Sequence, residues 1–204
     1  VDAWIEWADM YAAGMPSKAE EILARGLEVN PDNSLLLFKL ATMQDENGKT
    51  PQANSNYRRI LEKMPNHVPA LQKLALNLSA SPATMDEARK LAERAYGLNR
   101  NEPAMQDTYG WILVQSGDAK KGIPLLESAV KSLRNLHGGH SGLHQSEDHS
   151  HPEAGNLNEG LACYHLGAAY MMTGKSAEGA AYLNRALGLG INAGTRVQIA
   201  ALLK

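Results

Sequence analysis

A chain of 204 residues with 44% hydrophobic content can bury a sizeable core, and 20 Lys plus Arg against 22 Asp plus Glu leave a net charge of −2, too little positive field to draw nucleic acid or an anionic membrane surface. A single cysteine, Cys163, excludes an internal disulfide and a four-thiolate zinc site. No run of roughly 18 apolar residues argues for direct membrane insertion, and the opening VDAWIEWADM lacks the basic and then apolar pattern of a secretory leader.

Self-similarity organises the chain. Pro31 and Pro65 are 34 residues apart, as are Gly14 and Gly48 and also Ala19 and Ala53; Ala88 and then Gly122 follow at 35 and 34. Each period predicts two short helices with a 3.6-residue rhythm joined by a turn. The expectation is a single all-α domain with repeats at about 1–32, 33–66, 67–101, 102–134 and 160–192, an insertion at about 135–159 and a capping helix at about 194–204.

In chain order, the first repeat keeps Trp7, Gly14, Ala19, Leu23, Gly26 and Pro31, with Trp4 and Trp7 enlarging its first helix. The second opens on SLLLFKLATMQDEN, where Leu37, Leu40, Ala41 and Gln44 form one stripe and Gly48 stops the helix. Thr50 as cap and Pro51 as first helical residue start PQANSNYRRILEKM, with Ala53, Tyr57 and Ile60 inward. The third runs from Pro69 to about Arg100, and Thr84 with Glu87 reads as a capping box at its longer turn. The fourth, DTYGWILVQSGDAKKGIPLLESAV, carries Tyr109, Gly110, Leu113, Gly117, Gly122, Leu126 and Ala129. The fifth, CYHLGAAYMMTGKSAEGAAYLNRAL, repeats that series as Leu166, Gly167, Tyr170, Gly174, Gly179, Leu183 and Ala186. Small residues at Ala41, Gly110 and Gly167 facing Ala53, Gly122 and Gly179 allow close helix approach within a pair. Last, GTRVQIAALLK offers Thr195 and Gln198 as a capping box and puts Val197, Ala200 and Ala201 on one face, as a helix covering the end of a stack would. Val1 in place of Met suggests a processed chain or a piece of a longer one, with Lys204 near the natural C-terminus.

Gly117 and Gly174 are 57 residues apart, 23 more than one repeat. The excess falls in a stretch holding His137, His140, His144, His149 and His151 with Glu147, Asp148 and Glu153, among glycines and serines that favour a solvated loop. Imidazoles and carboxylates suit Zn, Ni or Cu, which makes these five histidines candidate ligands. Their spacing matches no zinc motif, and gathering ligands on a glycine-rich loop costs much entropy. The favoured expectation is therefore no cofactor.

The residues quoted in the second, fourth and fifth repeats resemble the tetratricopeptide repeat (TPR) family over about 1–134 and 160–191. That resemblance implies a right-handed α-solenoid whose first helices line a concave groove for a protein or peptide partner. The fourth and fifth repeats are similar to the C-terminal repeats of bacterial TPR lipoproteins of exopolysaccharide and PEP-CTERM export systems and to cellulose-export subunits, which implies a periplasmic or envelope setting.

Family geometry assigns to the groove Trp4, Ala8 and Tyr11; Phe38, Thr42 and Asp45; Gln72, Leu76 and Ser79; Asp107, Trp111 and Val114; and Tyr164, Ala168 and Met171. Aromatic and methionine side chains there suit an apolar or amphipathic segment. The Lys and Asn residues of a carboxylate clamp are missing from the matching positions. No nucleophile elbow, phosphate loop or HExxH helix occurs, and Cys163 and His165, two apart on a helix, point to different sides, so no enzyme is expected. Three functions stay open: a scaffold for a protein partner, a metal-responsive module built on the histidine stretch, and an architectural spacer within a longer repeat protein. Sequence gives no oligomeric state.

Overall fold

The computed structural model describes the backbone of residues 1–138 and 152–204 and the side chains of 1–136 and 158–204. Every regular element among the described residues is helical, and they fall into two compact units, Val1–Leu98 and Asn99–Lys204. The first unit holds α1 (Asp2–Ala12), α2 (Pro16–Val29), α3 (Ser34–Glu46), α4 (Thr50–Lys63), α5 (Val68–Ser79) and α6 (Met85–Leu98), with a 3-10 turn at Pro82–Thr84. The second holds α7 (Pro103–Gln115), α8 (Ala119–Gly138), α9 (Pro152–Met172), α10 (Ser176–Gly188) and α11 (Ala193–Leu202). Consecutive helices pack as pairs, α1 with α2 through to α9 with α10, and α11 lies against α9.

The turns between paired helices show why the glycine spacing is legible. Gly48, Gly117 and Gly174 take φ of +73°, +91° and +80°, a conformation open to glycine at little cost. In each case the following N–H reaches back to a helix carbonyl: Lys49 to Gln44 at 2.7 Å, Asp118 to Leu113 at 2.8 Å and Lys175 to Tyr170 at 2.9 Å. Gly14 shares the spacing without the geometry, because the first turn closes through Met15 N–H on the Tyr11 carbonyl at 2.8 Å.

Small residues set the distance within a pair. A Cβ on Gly122 would stand 2.5 Å from the Gly110 carbonyl oxygen, and one on Gly167 would stand 2.8 Å from Leu183. Ala41 and Ala53, both fully buried, fill the same role between α3 and α4. Around these contacts, Ile22, Leu23, Leu36 and Leu40 build a core in the first unit, and Leu126, Val130, Leu166 and Leu183 build one in the second.

Several expected caps move. Thr84 closes the 3-10 turn by donating to the Leu78 carbonyl, while Glu87 pairs with Arg58, so no capping box forms. Asn192, not Thr195, caps α11 by accepting from the Thr195 N–H at 2.8 Å. On α11, Thr195 and Ile199 are buried and Val197 is 70% exposed, opposite to the face expected. Asn33 Oδ1 and His67 Nδ1 cap α3 and α5 in the same way. The helices also reach into the histidine-rich stretch, α8 to Gly138 and α9 from Pro152, where loop was expected over 135–159.

Candidate partner-binding site

In the second unit, α7 and α9 are the first helices of successive pairs, and they bring four candidate or neighbouring side chains together. Asp107 and Trp111, four residues apart, share a face of α7. The Asp107 carboxylate lies 2.9 and 3.0 Å from His165 Nδ1, with the imidazole N–H donating because a carboxylate accepts. Both residues are buried, so the pair replaces water that neither can reach. The Trp111 indole stacks on the imidazole at 4.7 Å and 13° between planes, and Tyr164 closes the cluster 6.1 Å from the indole. Trp111 and Tyr164 remain half-buried. Burial raises the Tyr164 hydroxyl above the usual phenol range.

Three second-unit residues expected on this wall are buried. Asp107 is spent on His165, and Val114 is buried where its methyl would meet a Cβ on Gly122 at 2.7 Å. Ala168 is buried, and Met171, half-buried, lays its sulfur over Gly179.

The first unit is more polar. Phe38, half-buried, sits 5.8 Å from Tyr57 and 5.4 Å from His67. Asp45 accepts from the Tyr57 hydroxyl at 2.9 Å and from Asn77 Nδ2 at 2.7 Å, and Asn77 also donates to Asn54. Burial, with Asp45 alongside, drives the Tyr57 hydroxyl far above the phenol range, so it stays a donor. Thr42 donates to its own helix at Lys39, and Gln72 and Leu76 are half-buried on α3's neighbour α5. Ala8 and Ser79 are buried, while Trp4 leans on Gly26 and Tyr11 carries the Lys18 ammonium 4.0 Å above its ring. Trp4 thus braces α2.

Sequence reasoning missed His165, Tyr57 and Asn77 as supports. Their partners lie 58, 12 and 32 residues away, beyond any one-helix pattern, although an acid facing each wall was a signal.

A family model described as Suppressor of forked protein (Suf) matches residues 1–146. The chain belongs to the Suf family. Its repeats are of the tetratricopeptide type, in agreement with the resemblance read from the sequence. The chain is 28% identical over 100 residues to the TPR repeat-containing protein PA4667 of Pseudomonas aeruginosa, a match spanning 49% of this chain and 17% of that relative. Among solved structures it is similar to TTC0263, a TPR protein of Thermus thermophilus, with TM-score 0.68, 18% identity and coverage of 99% and 98% of the two chains. MamA from Desulfovibrio magneticus RS-1 gives 0.66 at 15% identity, covering 92% and 93%. A chain of the APC/C hetero-tetramer Cut9–Hcn1 gives 0.74 at 16%, with 98% of this chain on 35% of that one. Identities this low carry the fold alone.

Other candidate groups in the chain fare differently. Cys163 is fully buried, and burial first, then Glu159, pushes its thiol up to about 11, the reverse of an activated nucleophile. Beside it, Glu159 is buried and accepts from Arg185 Nε at 3.0 Å. The side chain of His137 and all of His140, His144, His149 and His151 lie outside the described residues. Among the described residues no helix is long and apolar enough to cross a membrane.

Proposed function

We propose that this chain is a non-catalytic scaffold that holds an extended or helical segment of a protein partner against its first helices, with Trp111 and Tyr164 as the anchors. The tetratricopeptide fold supports a protein-interaction scaffold. The observation that carries the finer reading is the aromatic pair held from behind: Trp111 is stacked on His165, and His165 is tied to Asp107. A ring whose orientation is already set loses little freedom when it contacts a partner, so more of its contact area appears as affinity. Large aromatic side chains are the usual energetic centres of such interfaces. Phe38, half-buried between Tyr57 and His67, is the corresponding anchor of the first unit. Placement in envelope polysaccharide or protein export rests on the resemblance of the fourth and fifth repeats.

The test is quantitative affinity capture from the native source with wild type and with Trp111→Ala plus Tyr164→Ala, each variant checked for helical content. The expected result is a loss of about tenfold or more in the specifically retained partner. Undiminished capture by a folded variant would move the binding surface to the second helices. A retained set without envelope-export components would remove the export setting and leave the scaffold.

A further inference from the structure

A cavity of different character lies between the second helices of the two pairs in the second unit. Glu127, Val130, Lys131, Arg134 and Asn135 of α8 and Tyr182 of α10 line about 270 Å³ of space. That is at the small end of ligand pockets, so its occupant is small. None of these residues belongs to the Trp111 and Tyr164 cluster, which stands on the first helices.

Lys131, Arg134 and Asn135 stand at i, i+3 and i+4, a spacing that gathers them on one side of α8. Elsewhere in the second unit Arg185 pairs with Glu159, Lys121 pairs with Asp118, Arg196 donates to backbone carbonyls and Lys175 lies over the Tyr170 ring. Lys131 and Arg134, by contrast, make no hydrogen bond or ion pair among the described residues. The rest of the lining is tied together through Tyr170. Its ring packs on Tyr182 at 5.9 Å and its hydroxyl donates to Glu127 Oε1.

Two cations, an amide and a phenol hydroxyl thus offer donors to one cavity from two helices. A carboxylate would bring them a single charge in one plane. A phosphate group brings about −1.5 to −2 charge at pH 7 and three acceptor oxygens, and a guanidinium fork matches two of those. Phosphate alone would leave Val130, the apolar part of the lining, without a partner. We propose that this cavity binds the phosphate group of a small phosphate ester, with Lys131 and Arg134 as charge partners and Asn135 and Tyr182 as further donors. Glu127 limits the site to one phosphate, since a second would meet its carboxylate.

The test is titration of the 204-residue chain with glycerol 3-phosphate at constant ionic strength, followed by amide shifts in two-dimensional NMR. Saturable shifts should centre on Glu127–Asn135 and on Tyr182, and acetate should bind far more weakly. Arg134→Ala should weaken binding about tenfold or more, and Tyr182→Phe, which keeps the ring on Tyr170, roughly threefold. Glu127→Gln should tighten binding, because the amide oxygen still accepts from Tyr170 and the repelling charge is gone. Lys120→Ala removes an exposed cation of α8 outside the cavity and should leave binding unchanged. Shifts that never saturate would overturn the proposal, as would equal losses in Lys120→Ala and Arg134→Ala or acetate binding as tightly as the ester. Inorganic phosphate separates the two sources of the group: weaker binding than the ester supports the proposal, and equal or tighter binding would overturn it in favour of the free ion.

Discussion

The chemistry of this protein at the scale of single residues is that of polar groups held in place. Cys163 illustrates it: desolvation and the Glu159 charge keep the thiol protonated, since its value of about 11 stands above the ordinary 9.0. Between those values the unfolded thiol gives up its proton while the buried one retains it. Stability should therefore fall as pH rises from about 9 to about 11, and Cys163→Ala should flatten part of that slope in denaturation midpoints. The folded thiol should also resist alkylation at pH 8 until denaturant is added. That Cys163 is a small buried residue could be read from its place in a helical stripe. The role of His165 could not, because an acid expected on the α7 wall does not say which residue 58 positions later will face it.

Helices are best judged by what separates them. Gly110 and Gly122 let α7 and α8 approach until a single methyl has no room, with 2.5 Å from a Cβ on Gly122 to a backbone oxygen that cannot rotate away. Gly122→Ala should cost about 1–3 kcal/mol through forced separation of the pair, read as a lowered midpoint in chemical denaturation. Gly97→Ala is the control: nothing lies within 4 Å of that position in α6, and the change should add about 0.5–1 kcal/mol from helix propensity. The small-residue stripe was legible because it recurs at fixed spacing. Helix starts were less so. Thr195 and Gln198 satisfy a capping pattern that Asn192, three residues earlier, satisfies first, and Asn192 forms the bond. Val197 lies on the outer face, opposite to the one expected, because Thr195 and Ile199 are the residues that pack inward.

For the whole molecule, stability in a repeat array is a sum of pairs and of contacts between neighbours. Helix α1 contacts α2 and α3, and α11 packs on α9, whereas α9 itself touches α7, α8, α10 and α11. Amide hydrogen exchange in dilute solution should therefore release α1 and α11 earliest and α9 late, with α3 and α4 late in the first unit. Uniform protection from α1 to α11 would contradict a nearest-neighbour account. The repeat, the helix class and the pairing were all visible in sequence, because one set of spacings was written several times. The supports behind the aromatic walls were not, since each was written once and across helices. The glycine-closed turn has a last consequence. Gly48 and Gly117 are 69 residues apart and Gly117 and Gly174 are 57, yet all three turns close with the same backward bond. Each of these three hairpins is thus a self-contained cassette: a gene can lengthen or recombine the junction between them and leave their internal wiring untouched.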